Sequence, residues 1–210
     1  MLIQILCDNP NSWIIPYAIK LKEKIKSAGY EVKLIHLHED VVSGDILVLL
    51  SCEIIFKRLN LNKHNLVVHE SALPEGKGWS PLTWQVVEGK DEIQVTLIEA
   101  SEEVDSGVIY NEYLIKLDGS ELINDLRFLQ GEATILLVLS FIENYPNNKW
   151  KEQIGPSSFY PKRKPEHSQL DINQSIAAQF NLLRVCDNER YPAWFELNDK
   201  RYIIKIYRKV

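Results

Sequence analysis

Cysteine is scarce in this chain of 210 residues: Cys7, Cys52 and Cys186 stand far apart, odd in number and without a C-x-x-C pair. That excludes a disulfide framework and a thiolate zinc site as organising features, and it suits a reducing cytoplasm. No long basic run is present, and the net charge is −5. A duplex or tRNA binder usually shows a basic footprint, so nucleic acid is disfavoured as the main partner. A phosphorylated small molecule needs only a few local cations and stays open. Long apolar runs are missing too. The longest, "TILLVLSFI", is about half of a membrane span and reads as a core helix face. The start "MLIQILCDNPN" lacks the positive region of a signal peptide. There is neither a G-x-S-x-G elbow nor a Gly-rich P-loop. A nucleophilic serine and nucleotide hydrolysis are therefore not the reading.

Apolar residues make up 45 % of the chain, with five Trp and nine Tyr. That is enough for a real core, and the length fits one α/β domain with a small extension. "LIQIL" predicts a first strand. A helix capped by Ser12 follows and stops at Gly29. "EVKLIHL" is a second strand. "DILVLL" is continuously apolar, as a strand covered on both faces of a parallel sheet should be. "EIIFKRLNLN" reads as a short helix and "NLVVH" as another buried strand. The alternation implies a doubly wound sheet, with ligands beyond the carboxyl ends of its strands. "SPLTWQVVEGK" is a helix with Ser80 as cap, Pro81 first and Gly89 just past its end. "IQVTLIEA" and "GVIYNEYLIKL" are strands, and a long helix starts behind Ser120. From about residue 155 the chain becomes a polar, Pro-containing linker. An amphipathic helix started by Asp171 and a hairpin turning at Asn198-Asp199 follow. The expected division is 1–154 for a catalytic domain and 155–210 for the extension.

The chemistry-bearing residues begin with His69, where an apolar strand gives way to "SALPEGKGWSP". A histidine there can be structural. The loop after it favours more: Gly76 and Gly78 supply unusual backbone, and the next helix offers free N–H groups and a positive dipole end. A lone imidazole needs an orienting acid, and Asp105 provides one in the loop of "SEEVDSGVIY". Near His69 its carboxylate would favour the imidazolium and help to take a proton from an attacking amine. Glu102 and Glu103 read as a solvated turn. His36 and His38 alternate on the second strand near Asp40 without a third ligand, so no metal is expected. His64 falls in a polar turn and His167 in the linker.

At "HESALPEGKGWSPLTWQVVEG" followed by "VTLIEASEEVDSGVIY", the chain resembles the 10-formyltetrahydrofolate-dependent formyltransferases. The matching pattern is H-x-S-x-L-P, a G-x-x-P turn into a helix ending at Gly, and a later D-x-G. Here these are His69, Ser71, Leu73, Pro74, Gly78, Pro81, Gly89, Asp105 and Gly107. "FYPKRKPEHSQLDINQSIAAQFNLLRVCDNERYPAWF" looks like the stretch after the catalytic domain in sugar formyltransferases. The resemblance implies a Rossmann-like α/β fold with a mostly parallel sheet, plus a short C-terminal helix and hairpin. It implies 10-formyltetrahydrofolate as formyl donor, with its pterin against Ser51, Cys52, Glu53 and Ile54 on one side. Ser101, Glu102 and Val104 would close the other side. His69 and Asp105 would be catalytic, and Ser71, Gly76, Lys77, Gly78 and Trp79 would meet the substrate.

One departure matters. The family carries Asn two residues before the histidine, and this chain has Val67. Asn65 shares its strand face but lies roughly 6.6 Å further along, too far for a simple substitute. The tail and the "GWSP" loop look most like enzymes that formylate the amine of a nucleotide-linked amino sugar. Lys77, Trp79 and the "PKRK" linker would then meet the nucleotide. A folate- or sugar-nucleotide-binding module without turnover, a formyl hydrolase and an aminoacyl-tRNA formyltransferase are the alternatives. Pairing of the tail hairpin between subunits would make a homodimer.

Overall fold

The computed structural model describes residues 1–209. Its centre is a six-stranded sheet in the order β2-β1-β3-β4-β6-β7. The strands are β1 (Leu2–Leu6), β2 (Glu31–Ile35), β3 (Gly44–Leu49), β4 (Asn62–His69), β6 (Glu92–Glu99) and β7 (Ile109–Lys116). The pairs β1–β2, β1–β3 and β3–β4 are parallel, while β4–β6 and β6–β7 are antiparallel. The sheet is thus mostly parallel, as the resemblance implies. The continuous run in β3 has its stated cause: Ile46, Leu47 and Val48 are fully buried, so both faces are covered.

Helices cover one face only. Helix α1 (Ile15–Ser27) and α3 (Ile123–Asn144) pack there on Ile3, Ile5, Ile46, Val48, Leu66 and Leu97. Tyr17 of α1 lies over Gly131 of α3, where a Cβ would come within 2.3 Å of the ring. The opposite face is covered by irregular chain: Val41, Phe56, Leu59 and Leu61 pack on Leu6, Ile35, Leu47 and Leu49. The doubly wound expectation fails here: the β2-to-β3 connection is too short for a crossover helix, and the longer β3-to-β4 connection forms only bends and one 3-10 turn. "EIIFKRLNLN" is accordingly not a helix; only a 3-10 turn forms at Leu59–Leu61. The candidate site lies on this non-helical face.

Capping differs from the sequence reading at three helices. Asn9 closes its own turn on Asn11 and Ser12, so α1 starts at Ile15, with no side-chain cap. At its other end Gly29 (φ 86°) closes the helix through bonds to the Lys26 carbonyl and, from Tyr30, to the Ile25 carbonyl. Ser120 sits in a turn on Asp118, and α3 begins after Leu122, whose N–H is taken by Asp125. Helix α2 (Pro81–Val87) starts where expected, but Ser80 is left-handed (φ 50°) and makes no side-chain cap.

The extension is more tightly tied than a linker. Strand β8 (Phe159–Tyr160) pairs in parallel with β5 (Lys77–Gly78), inside the loop after His69. The amphipathic helix shrinks to α4 (Phe180–Arg184), because Asp171 accepts the Asn173 N–H and Gln179 bonds both main-chain groups of Asp171. Strands β9 (Ala193–Leu197) and β10 (Lys200–Ile204) form the hairpin. Asn198 (φ 52°) and Asp199 (φ 58°) make its turn, as the sequence predicts.

Candidate active site

His69 ends β4 and is 5 % exposed. Its Nε2 lies 2.8 Å from the Gly76 carbonyl oxygen, and its Nδ1 lies 3.5 Å from Asp105 Oδ2. Both ring nitrogens face acceptors, so a neutral ring with one N–H satisfies only one of them. The Asp105 oxygen also accepts the Gly78 N–H at 2.9 Å. Gly76 and Gly78 therefore brace the pair from one short segment, one by its carbonyl and the other by its amide. Lys77 and Trp79, between and beyond them, donate their own N–H groups the other way, to Ser158 and Tyr160. This alternation is the reason for β5. It also explains the two glycines: a Cβ on Gly78 (φ 96°) would lie 2.5 Å from the Tyr160 oxygen, and one on Gly76 (φ 72°) 2.9 Å from the Tyr160 ring.

Asp105 reaches His69 from an unexpected direction. Strand β6 is antiparallel, so its end at Glu99 pairs Leu66, below His69 rather than above it. The loop then turns back across the sheet face. Asp105 itself is left-handed (φ 54°), and Gly107 has no room for a Cβ, which would lie 1.7 Å from the Glu99 oxygen. Gln153 holds the loop by donating to the carbonyls of Asp105 and Gly107, at 2.9 and 2.8 Å.

Val67, half-buried, packs with Leu73, Ile98 and Ile109 and offers no hydrogen bond. Asn65 does not replace the missing amide: its Nδ2 is spent on the Leu59 carbonyl at 2.8 Å. Its main-chain oxygen accepts from Ala100. Asn65 instead ties β4 to Leu59 and Ala100, which lie outside the two stretches expected to hold the folate, 51–54 and 101–104.

Among those loop residues, Glu53 and Ile54 donate their N–H groups to the Asp8 carboxylate, both at 2.9 Å. Asp8 also meets His38 Nε2 at 3.3 Å. Ser51 is left-handed (φ 48°). Cys52 hydrogen-bonds the Leu6 carbonyl, and burial pushes its thiol up to about 12, so it is no nucleophile. Ile54 and Ile55 stay 65 % and 62 % exposed. Among the described residues, nothing in the protein donates to the carbonyls of 51–54. A fixed loop with free carbonyls beside bare apolar side chains fits a flat ring carrying hydrogen-bond donors. On the other side, Ser101 donates to the Glu103 carbonyl, Glu102 is exposed, and Val104 is 43 % exposed.

The remaining substrate-side residues divide. Ser71 is buried with its Oγ unpartnered. Lys77 is 5 % exposed and reaches Ser106 Oγ. Trp79 is 40 % exposed, with Lys162 Nζ 4.4 Å above its ring. His36 and His38 do not share a strand face, since β2 ends at Ile35; His36 bonds the Cys7 carbonyl. His64 is not in a turn but on β4.

Glu70 was not foreseen. It is buried next to His69, and that burial raises its pKa, against the pull of His69 and a Gln130 hydrogen bond of 2.6 Å. The sequence signal is a carboxylate inside a buried strand end, which needs a partner.

No family model matches this chain. Over 93 % of its length it is 30 % identical to the bifunctional polymyxin resistance protein ArnA of Wigglesworthia glossinidia brevipalpis, spanning 28 % of that relative. It is 29 % identical over 56 % of its length to the methionyl-tRNA formyltransferase of Mycoplasma pneumoniae, of which the match spans 38 %. In structure it superposes on the methionyl-tRNA formyltransferase of Clostridium thermocellum with a TM-score of 0.81 at 19 % identity, covering 96 % of this chain and 90 % of that one. A sugar N-formyltransferase from Shewanella gives 0.71 at 14 % identity, covering 100 % and 98 %. HypX from Aquifex aeolicus, solved with tetrahydrofolic acid, gives 0.75 at 19 % identity, covering 95 % of this chain and 36 % of HypX. The fold is the formyltransferase fold. In sequence the chain is similar to formyltransferases, and it spans about a third of the length of the two curated relatives named here.

Proposed function

We propose that this protein moves a formyl group from 10-formyltetrahydrofolate to the primary amine of a nucleotide-linked amino sugar. The observation that carries the chemistry is the His69–Asp105 pair, pinned by the Gly76 carbonyl and the Gly78 amide. The folate supplies the formyl carbon: its bond to N10 breaks, a bond to the amine nitrogen forms, and one proton passes from the amine to N10. This chain's residues handle that proton. A neutral His69 donates Nε2–H to Gly76, which leaves the Nδ1 lone pair beside Asp105 Oδ2. An amine reaching this pair finds two proton acceptors side by side. Once Nδ1 is protonated, Asp105 stabilises the charge at 3.5 Å. Residues 51–54 and 101–104 would hold the pterin.

The sugar-nucleotide reading rests on the surface beside this pair. Trp79 lies under Lys162, and Phe159 lies 5.8 Å from Lys77 Nζ. Aromatic faces next to cations suit a base and a diphosphate. The net charge of −5 favours this over tRNA. The sugar N-formyltransferase neighbour also matches the full length of this chain. In this reading residues 1–154 carry the transfer site. Residues 155–210 shape its substrate side and offer exposed Leu197, Tyr202 and Ile203 to a second copy. The protein works in the cytoplasm, where its three free thiols are stable.

Absorbance-monitored release of tetrahydrofolate tests the proposal, with UDP- and dTDP-linked amino sugars, methionyl-tRNA and no amine run in parallel. Release that depends on an amino sugar is expected. Release only with methionyl-tRNA moves the substrate to tRNA, and release without any amine makes the protein a hydrolase. Saturable folate binding without release under any condition makes it a binding module.

A further inference from the structure

Formyl transfer builds negative charge on the formyl oxygen in its transition state, and such charge needs a fixed donor or cation. Most side chains of this site are committed; the Ser71 hydroxyl is unpartnered but offers a single neutral donor. Val67 has no donor, the Asn65 amide is spent on Leu59, and the His69 nitrogens face Gly76 and Asp105. One cation remains. The Lys77 side chain is 7 % exposed, and its ammonium is poorly neutralised. It meets the neutral Ser106 Oγ, the Phe159 ring at 5.8 Å, and Glu103 at 3.9 Å through a carboxylate side chain that is 76 % exposed. Burying an ammonium with so little compensation is costly. Its place in the chain is fixed from both sides, since residue 76 holds His69 and residue 78 holds Asp105. Ser106, which Nζ touches, directly follows Asp105.

We propose that Lys77 is the charge-stabilising catalytic residue of this site: its ammonium takes the role that an amide at Val67 would have filled. The inference rests on the formyltransfer reading. The ammonium neither gains nor loses a proton in the step. It faces the oxygen while the amine–carbon bond forms and the N10–carbon bond breaks, and it is freed when the carbonyl re-forms.

The test uses the full chain with 10-formyltetrahydrofolate and whichever amine supports release in that assay. Binding of the stable analogue 5-formyltetrahydrofolate, read by tryptophan fluorescence, and the melting temperature are followed alongside. Lys77→Met is expected to lower kcat about 100-fold, with analogue affinity and melting temperature close to wild type. Lys77→Arg keeps the charge and retains most of kcat. Ser106→Ala breaks the contact but keeps the cation, and costs far less than Lys77→Met. Adding Val67→Asn to Lys77→Met restores activity at least tenfold, while Val67→Asn alone changes little. Equal losses in Lys77→Met and Ser106→Ala would mean a structural brace and overturn the inference. So would a loss confined to KM, or no rescue by Val67→Asn. Wild-type protein without amine-dependent release would overturn the formyltransfer reading itself, and this inference with it.

Discussion

Strand β4 carries two histidines, each with a carboxylate beside it. His64 and His69 are an odd number of residues apart, so they face opposite sides of the sheet. On the helical face His64 Nδ1 lies 3.1 Å from Glu99 Oε2 and 3.1 Å from the Tyr110 hydroxyl. The rings of Phe141 and Tyr145 stand edge-on to it at 5.2 and 5.7 Å. Burial, with the Glu99 carboxylate, raises the Tyr110 pKa, so its hydroxyl remains a donor to Glu99 at 2.9 Å. The other Glu99 oxygen accepts the Asn65 main-chain N–H. Glu99 and the Tyr110 hydroxyl are thus engaged with one another and with their neighbours, and both contacts of the His64 ring fall on Nδ1. On the other face the His69 ring has two acceptors for one proton, and Asp105 comes from a left-handed residue in a folded-back loop. A His–carboxylate pair is a packing device when its neighbours consume its bonding capacity. In the proposed reading it becomes a proton device where, as at His69, both ring nitrogens face acceptors.

The sharpest way to break this comparison is to remove each ring. His69→Ala is expected to lower kcat/KM about a thousandfold, measured as tetrahydrofolate release. His64→Ala is expected to stay within about threefold in activity while lowering the melting temperature by about 4 °C. Equal activity losses would erase the distinction. The acids come next. Asp105→Asn keeps an acceptor for the Gly78 amide but removes the charge, so kcat falls about 100-fold. Glu99→Gln leaves kcat within about fivefold; a larger effect would mean that the two faces are coupled through Glu99.

A smaller effect is expected at Asp8, whose carboxylate holds Glu53 and Ile54. Asp8→Ala removes two charge-assisted bonds from that loop and should weaken 5-formyltetrahydrofolate binding about tenfold. Unchanged affinity by fluorescence titration would remove loop 51–54 from the folate site. The smallest effect concerns Glu70. Burial raises its pKa in the folded state above the unfolded value, so the folded state binds the extra proton. Stability from this group is therefore greatest below the ordinary carboxylate range and falls as pH rises towards the folded-state pKa. Glu70→Gln keeps the Gln130 contact without the charge. Its melting temperature should match wild type at acid pH and exceed it by about 2–4 °C near pH 8. No crossover between pH 4 and 8 would refute the protonated state.

Much of the candidate site's framework was legible because it is written in backbone chemistry. Gly76, Gly78 and Gly107 stand where no Cβ fits, and their spacing from His69 and Asp105 marked the loops before any contact was known. The turn at Asn198-Asp199 was legible for the same local reason. The helix starts at Ser12, Ser120 and Asp171 were not, because nearby side chains took the bonds that a cap would have made. Glu70 on Gln130, Asp8 on the 53–54 amides and β8 on β5 join distant parts of the chain, and no local pattern announces them.

By itself the sequence determined the strand cores, the glycine-framed loops and the residue types able to move a proton, since each follows from side-chain volume, φ preference or charge over a few neighbours. Only the tertiary structure decided which histidine met a spare acceptor, which face of the sheet stayed free of helices and which lysine was buried without a full counter-charge. Those outcomes depend on what the rest of the chain packs against each residue, and desolvation and hydrogen-bond capacity are properties of that whole surrounding.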